Sequence, residues 1–441
     1  MKMIIKGGTI VDGTDREAKP ADLLIEDGRI VASALVIEEE ADAVVDATGC
    51  YVMPGFIDLH VHLRDPGQTH KEDLLTGAKA AARGGVTTIC AMPNTNPAVD
   101  TVEVLQDIYQ RAEQAPVHVL QVSAITKGQG GQELVDMAAM KEGGAVAFSE
   151  DGKSVMDVTL YEEAMRQAAQ LNVPVFAHCE DKALVGKGVL NEGVASERFG
   201  VPGISNAVED IITARDIFLA RESGARLHLC HCSTEASVWL VKMAKSMGIP
   251  VTAEVCPHHF ILTDEDITEE NANYKMNPPL RTKRDVKTLI EGLRNGTMDC
   301  ISTDHAPHHA EEKAGGFEKA PFGIVGLETS ASLTYTALVD TGVLSIQQMV
   351  QKMSTNPAKV LGVDDCKGYV QIGKDADLVI FDPNVEYVVD VEEFASKGKN
   401  TPFAGRKVKG RVRATIVDGR LVYEDTARTV KPQPEEENLF S

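Results

Sequence analysis

The chain carries little of what would tie it to nucleic acid or to a membrane. Against 66 acidic residues it has 44 basic ones, a formal net charge of −22, and aromatics make up 5% of it. No run interleaves Arg or Lys with aromatic residues, and so acidic a surface repels phosphate backbones, which argues against a nucleic-acid partner. Long hydrophobic runs are missing too. The opening MKMIIKGGTIVDG holds too short an apolar stretch for a signal peptide, and no uninterrupted apolar run is long enough to span a bilayer. These absences predict a soluble, cytoplasmic protein with no membrane partner. Paired cysteines are the third absence. The eight cysteines (50, 90, 179, 230, 232, 256, 300 and 366) form no CxxC pair, and most sit in apolar strand-like runs. There they read as small buried hydrophobes in a reducing compartment. Cys230 and Cys232 flank His231, but no second pair follows at knuckle spacing, which argues against a zinc finger.

What the chain does have is a repeating pattern. At 441 residues it exceeds the usual size of one core, so one large domain of roughly 250 to 300 residues or two domains are expected. Between residues 53 and 363, short β-branched runs alternate with longer helical patterns such as EDLLTGAKAAARGG and NAVEDIITARDIFLARESG, the signature of βα units and a parallel sheet. Eight strand candidates stand out: 56–62, 86–92, 118–124, 145–151, 173–179, 226–232, 250–256 and 299–304. Eight such units are what a (β/α)8 TIM barrel requires. The two ends read differently. Residues 1–52 and 364–430 are strand-rich, with hairpin signals at Asp12-Gly13, Asp27-Gly28 and Asp418-Gly419, and TIVDG occurs in both. They are expected to pair into one small discontinuous β-sandwich domain. The polar, proline-bearing segment 431–441 reads as a disordered tail.

The stretch GFIDLHVHLRDPG, residues 55–67, carries the first chemical signal. Alternate side chains of a strand share a face, so His60 and His62 can both reach one metal ion, and Arg64 adds a fixed positive charge suited to a substrate carboxylate. An HxH pair alone does not separate ligands from core histidines. The strand ends of a barrel do, because catalytic residues gather there. His60 and His62 end the first strand, Asp151 the fourth, His178 the fifth, His231 the sixth and Asp304 the eighth. Each has a blander reading. Asp151 in FSEDG is also a turn aspartate with Glu150 as a rival; His178 and His231 are also core histidines; and His228 competes with His231, although strand alternation places it on the opposite face, farther from the rim. Six ligands are too many for one tetrahedral ion with an open position, and two divalent ions sharing a bridging group fit better. Such a pair makes a nucleophile from water.

The motif set as a whole resembles the dihydroorotases of the amidohydrolase superfamily. The resemblance runs through GGTIVDG, PGFIDLHVHLRDPG, AMPNTNP, FSEDG, HCST, KMNPPLR, STDHAPH, APFGIVGLET and GKDADLVIFDP, nearly the whole chain. Many members of that superfamily bridge their metals with a carboxylated lysine after the fourth strand. This chain has Asp151 there, as in one bacterial subclass. The resemblance implies His60, His62 and Asp304 on one metal, His178 and His231 on the other, and Asp151 shared, with zinc as the metal. It also implies that Arg64 and Asn94 hold a substrate carboxylate with His308 assisting, and that Asn277 and the backbone at Phe322 and Gly323 hold the ring, His62 also facing the substrate. Asn94 and Asn277 lie in proline-rich clusters that equally suit plain loops.

The expected activity is the reversible cyclisation of N-carbamoyl-L-aspartate to L-dihydroorotate in pyrimidine synthesis, through a metal-bridged hydroxide with Asp304 as general base and then acid. The rivals are an allantoinase or hydantoinase, and a non-catalytic scaffold for aspartate transcarbamoylase. Arg64 speaks against a hydantoinase, and an intact ligand set against a scaffold. A homodimer, and association with aspartate transcarbamoylase, are expected from resemblance alone. Segment 309–321, charged and containing Gly315-Gly316, reads either as a lid or as a solvated loop.

Overall fold

The computed structural model describes residues 1–425, so the tail expected at 431–441, and the last residues of the small domain, lie outside the described part. Parallel pairing runs through eight strands in chain order: β1 (Phe56–Val61), β2 (Val86–Ala91), β3 (His118–Gln121, continued by Ser123–Ala124), β4 (Phe148–Ser149), β5 (Val175–Ala177), β6 (Leu227–Leu229), β7 (Val251–Val255) and β8 (Cys300–Ile301). A parallel bridge between Val61 and His305 joins the segment after β8 back to β1, with the His62 amide donating to the His305 carbonyl at 2.8 Å. This order fits a (β/α)8 barrel.

Strand alternation sorts the core into two sets. Val175, Ala177, Leu227, Leu229, Val251 and Ala253 pack with helical residues such as Ala78, Ala81 and Ile217. Leu59, Cys90, Phe176, Cys230 and Cys300 fill a separate cluster. The helices between strands start on polar caps that occupy orphan backbone amides. Asp73 and Thr76 form a capping box on helix Leu74–Arg83, and Thr282 with Asp285 does the same on Lys283–Asn295.

Several expected strands are shorter than their apolar runs: 145–151 yields Phe148–Ser149 and 299–304 yields Cys300–Ile301. Apart from His60, which lies inside β1, the rim residues therefore sit in the connections beyond the strands. Three of them, Arg64 (φ 58°), His231 (φ 33°) and Asp304 (φ 50°), occupy the left-handed region that non-glycine residues seldom enter.

The ends of the chain share one sheet, in the order Arg420–Glu424, Lys407–Val417, Leu378–Val388, Tyr51–Pro54, Lys2–Ile10, Lys19–Glu26, Arg29–Ala34, with Ala43–Asp46 also pairing with Lys2–Ile10. The join is Leu378–Phe381 running antiparallel to Tyr51–Pro54. One face packs Met3, Ile5, Leu23, Val52, Leu378 and Ile416 together, while Met53, Val379, Phe381 and Val412 belong to the large core. Asp27-Gly28 and Asp418-Gly419 make two-residue turns with both φ angles positive, as a type I′ hairpin needs. Asp12-Gly13 does not: it lies in the longer connection 11–18, because the strands on either side end at Ile10 and begin at Lys19.

Candidate active site

The loops after β1 and β2 must meet for Arg64 and Asn94 to act together. Gly67 (φ +90°) permits it, since a Cβ there would fall 1.9 Å from the Asn96 carbonyl oxygen. The loop behind Gly323 (φ +126°) also leaves no room for a side chain, with an added Cβ 2.6 Å from that of Ala306. Between these loops lies a cavity of about 180 Å³ lined by His62, Arg64, Asn94, Asp151, Gly152, His178, His231, Asn277, Asp304, Ala306, Phe322 and Gly323. His60 is fully buried beside it.

The six ligand-type residues singled out from sequence converge. His60 Nε2 is 3.2 Å from Asp151 Oδ1 and 3.6 Å from Asp304 Oδ1, and His62 Nε2 is 3.1 Å from the same Asp304 oxygen and 3.5 Å from Asp151 Oδ2. His178 Nδ1 lies 3.5 Å from Asp151 Oδ1 and 2.9 Å from His231 Nε2. Two groups emerge, His60/His62/Asp151 and Asp151/His178/His231, each with its donor atoms within 4.8 Å of one another and both containing Asp151. His60 Nε2, Asp151 Oδ1, His178 Nε2 and His231 Nδ1 are buried without a hydrogen-bond partner. Imidazole nitrogens and a carboxylate oxygen left unpaired in an interior are a donor set that divalent cations satisfy.

Electrostatics matches. Burial pushes both carboxyls up, but neighbouring imidazoles outweigh it and hold Asp151 well below the usual carboxylate range and Asp304 down to about 2. Burial also works against a charge on His178, yet the nearby carboxylates of Asp151 and Glu180, 3.5 and 3.7 Å away, lift it to about 10.

Residues that sequence reading missed hold these groups in place. Glu254, on β7, accepts from His60 Nδ1 at 3.0 Å, faces His228 Nε2 at 3.1 Å and accepts from the His231 amide at 3.2 Å. A ring nitrogen anchored on a carboxylate fixes the tautomer and turns the other nitrogen toward the cavity. His228 is thus not on a face away from the site: β6 ends at Leu229 and the backbone turns at His231, so alternation does not extend between the two histidines, and His228 reaches the carboxylate that anchors His60. Glu180, 3.7 Å from His178 Nε2, accepts from Asn277 Nδ2. Glu150, the rival of Asp151, turns away to accept from the Ile125 and Thr126 amides. Asn94 lines the cavity, but its amide is engaged: Oδ1 accepts from His62 Nδ1 at 2.8 Å and Nδ2 donates to Asp151 at 3.2 Å.

His308 stands behind the cavity lining. Burial and the charges of Arg64, Lys71 and Lys313 push it down to about 2, so it is neutral. Its Nε2 donates to the Phe322 carbonyl at 2.8 Å and its Nδ1 accepts from Lys71 at 3.3 Å. That tautomer leaves the Arg64 NH2 group, 3.3 Å from Nε2, without an acceptor there and available to an anion. Segment 309–321 is packed down rather than loose. Phe317 is fully buried, and the Lys313 ammonium donates to the carbonyls of Lys275, Pro321 and Gly323 at 3.1, 2.9 and 2.9 Å.

Comparison with known proteins fits this geometry. Residues 49–237 match the Dihydro-orotase-like family and residues 289–423 the Amidohydrolase family. A protein named dihydroorotase from Thermoanaerobacter sp. (strain X514) is 48% identical over 98% of this chain and 99% of its own length. The dihydroorotase of Pelotomaculum thermopropionicum is 48% identical over 96% of this chain and 99% of that protein. The chain belongs to the dihydroorotase family of metal-dependent amidohydrolases. Among solved structures, the L-hydantoinase (dihydropyrimidinase) of Arthrobacter aurescens superposes with a TM-score of 0.87 at 29% identity, covering 96% of both chains. The dihydropyrimidinase of Brevibacillus agri NCHU1002 gives 0.84 at 26% identity, over 96% of this chain and 95% of that one. No helix among the described residues is long and apolar enough to cross a membrane.

Proposed function

We propose that the chain interconverts N-carbamoyl-L-aspartate and L-dihydroorotate, a ring-closing step of pyrimidine synthesis. The observation that carries this reading is Asp151 shared between two groups of imidazoles, with Arg64 on the wall of the same cavity. The solved neighbours are named hydantoinase and dihydropyrimidinase, and hydantoinase or allantoinase activity is the alternative reading. Arg64 favours the acid, because a ring amide lacking a carboxylate gives a guanidinium nothing to hold.

In this reading, His60, His62 and Asp304 would hold one divalent cation and His178 and His231 the other, with Asp151 shared and zinc as the metal in both positions. When bound, the ions supply Lewis acidity toward a water and a carbonyl oxygen. The protein does the rest. Arg64 binds the substrate carboxylate, while Asn277 and the backbone at Phe322 and Gly323 orient the ring. Asp304 takes the proton from the attacking water and hands it to the leaving ring nitrogen. Reversed, the same carboxyl protonates the departing oxygen as the ring closes. Closure joins a carboxylate to a ureido nitrogen with uptake of one proton, so lower pH favours it.

The placement of Asp151 supports the bacterial subclass that uses an aspartate in place of a carboxylated lysine. Residues 53–363 are assigned to a closed (β/α)8 barrel, and 1–52 with 364–430 to a small β-sandwich domain. A cytoplasmic location is supported by eight free cysteines. A homodimer is supported by Ile211, Phe218 and Trp239, which stand exposed on adjacent helices. An association with aspartate transcarbamoylase rests on the resemblance alone, and sedimentation with and without that enzyme tests both assemblies. The deciding experiment is turnover by metal-loaded enzyme of N-carbamoylaspartate, hydantoin and allantoin side by side. Activity on the first is expected. Turnover of either neutral ring with none of the acid would overturn the assignment.

A further inference from the structure

A second cluster of metal-ligating side chains lies outside the cavity, just past the end of β7. Cys256, His258 and His259 bring one sulfur and two imidazole nitrogens within 4.8 Å of one another, all three residues being buried. Cys256 is fully buried and the two histidines are each 2% exposed. The Cys256 backbone caps helix Pro257–Ile261, which places the cysteine and the residue three positions on, His259, on one side of that turn.

The hydrogen bonds point to an occupant. His259 Nε2 donates to the Pro278 carbonyl at 2.9 Å, which leaves Nδ1 as a bare lone pair, and that Nδ1 has no partner. His258 Nε2 is likewise buried and unpartnered. A histidine whose far nitrogen is anchored on a backbone carbonyl while the near one is unpaired is arranged as metal-binding histidines are. Two orphaned nitrogens beside a thiol in an interior call for a ligand, since an unsatisfied buried polar group is unfavourable.

We propose that Cys256, His258 and His259 form a third cation site, separate from the catalytic pair, and that it takes a soft monovalent cation of the Cu+ class. Thiolate with imidazole selects soft cations. The donor set points to the valence: one thiolate and two neutral imidazoles balance a single positive charge, and the group itself holds no carboxylate to balance a second. Filling the site ties the end of β7, which carries Glu254, to the loop that presents Asn277, because His259 already holds Pro278.

The test is anaerobic titration of the enzyme, already loaded with its divalent ions, with Cu+ in the presence of the chelator bicinchoninate, followed by copper-edge X-ray absorption. One equivalent of Cu+ per chain should resist the chelator and show one sulfur and two nitrogen neighbours. Cys256→Ser, close to isosteric, should lose it, while Cys230→Ser, which alters the other cysteine near an imidazole, should keep it. His258→Gln provides a second variant that retains the thiol, and it should also lose the tightly held copper. Circular dichroism and the divalent metal content report that each variant is folded. The proposal is overturned if the chelator strips all the copper, if a folded Cys256→Ser protein holds it as well as the parent, or if Zn2+ displaces it at equal concentration. A buried water would give the first of these results.

Discussion

Asp304 is tied to both imidazoles of the HxH pair and stays ionised, which suits a group that must accept a proton at once. Asp304→Asn should lower kcat by at least ~10²-fold, the usual scale for general acid–base groups; near-native turnover with unchanged metal content would remove it from the mechanism. Arg64 has a guanidinium face that His308 leaves free. Arg64→Met should therefore weaken dihydroorotate far more than a ring amide without the acid, and inhibition constants for the two compounds measure the difference. Asp151 faces His60, His62, His178 and His231 together. Asp151→Ala should reduce bound metal and abolish turnover with little change in circular dichroism, and the native enzyme should not respond to added bicarbonate, because an aspartate carries its carboxylate permanently. Full metal content in that variant would mark Asp151 as a mere turn residue.

The elements that matter most to specificity are loops, and lysines hold one of them. Lys313 gathers three carbonyls, and Lys275 donates to the Ala320 carbonyl at 2.6 Å while its ammonium lies 4.4 Å from the Phe322 ring centre. The peptide at Phe322 and Gly323 is fixed from behind by these lysines and by Asn400, which donates to the Gly323 carbonyl at 3.0 Å. Loss of the clamp should misplace the ring-binding backbone without touching the metal ligands. Lys313→Met is expected to raise KM on the order of 10-fold with smaller changes in kcat and metal content, since small misplacements are costly to binding geometry. Steady-state kinetics on folded variant protein decides it, and Lys313→Arg should restore part of the loss. A fall in kcat at constant KM would contradict the clamp.

At the scale of the whole molecule, the terminal sheet is joined to the larger core through residues such as Phe381. Its ring is fully buried and lies 5.2 Å from that of Tyr335, between centres. Phe381→Ala should destabilise the protein by about 3 to 5 kcal/mol, the range for deleting a large buried aromatic. The thermal midpoint should fall while kcat of the folded enzyme stays the same. An unchanged midpoint would mean that the contact is dispensable.

Period and residue type alone disclosed the eight βα units, the strand-rich ends and six ligand-type residues, because hydrophobic alternation and His/Asp chemistry are local properties. The expectation that His228 faces away from His231 failed because it assumed that a strand extends as far as its apolar run, whereas β6 ends at Leu229. Asp12-Gly13 does mark a hairpin, but one with the longer connection 11–18, because the partner strand begins only at Lys19. Where a strand stops depends on its neighbours. Glu254, Glu180 and Lys313 escaped notice because nothing around them in the sequence marks them; a buried carboxylate inside a strand and a lysine in a charged loop have no periodic signature. Their roles arise from partners far along the chain, Glu254 with His60 and Glu180 with Asn277. The sequence by itself determined which chemistry the protein carries. Only the tertiary structure decided which nitrogen of each histidine faces the cavity, which carboxylate anchors His60 from behind and which loop is pinned, because these depend on contacts between segments that the chain keeps far apart.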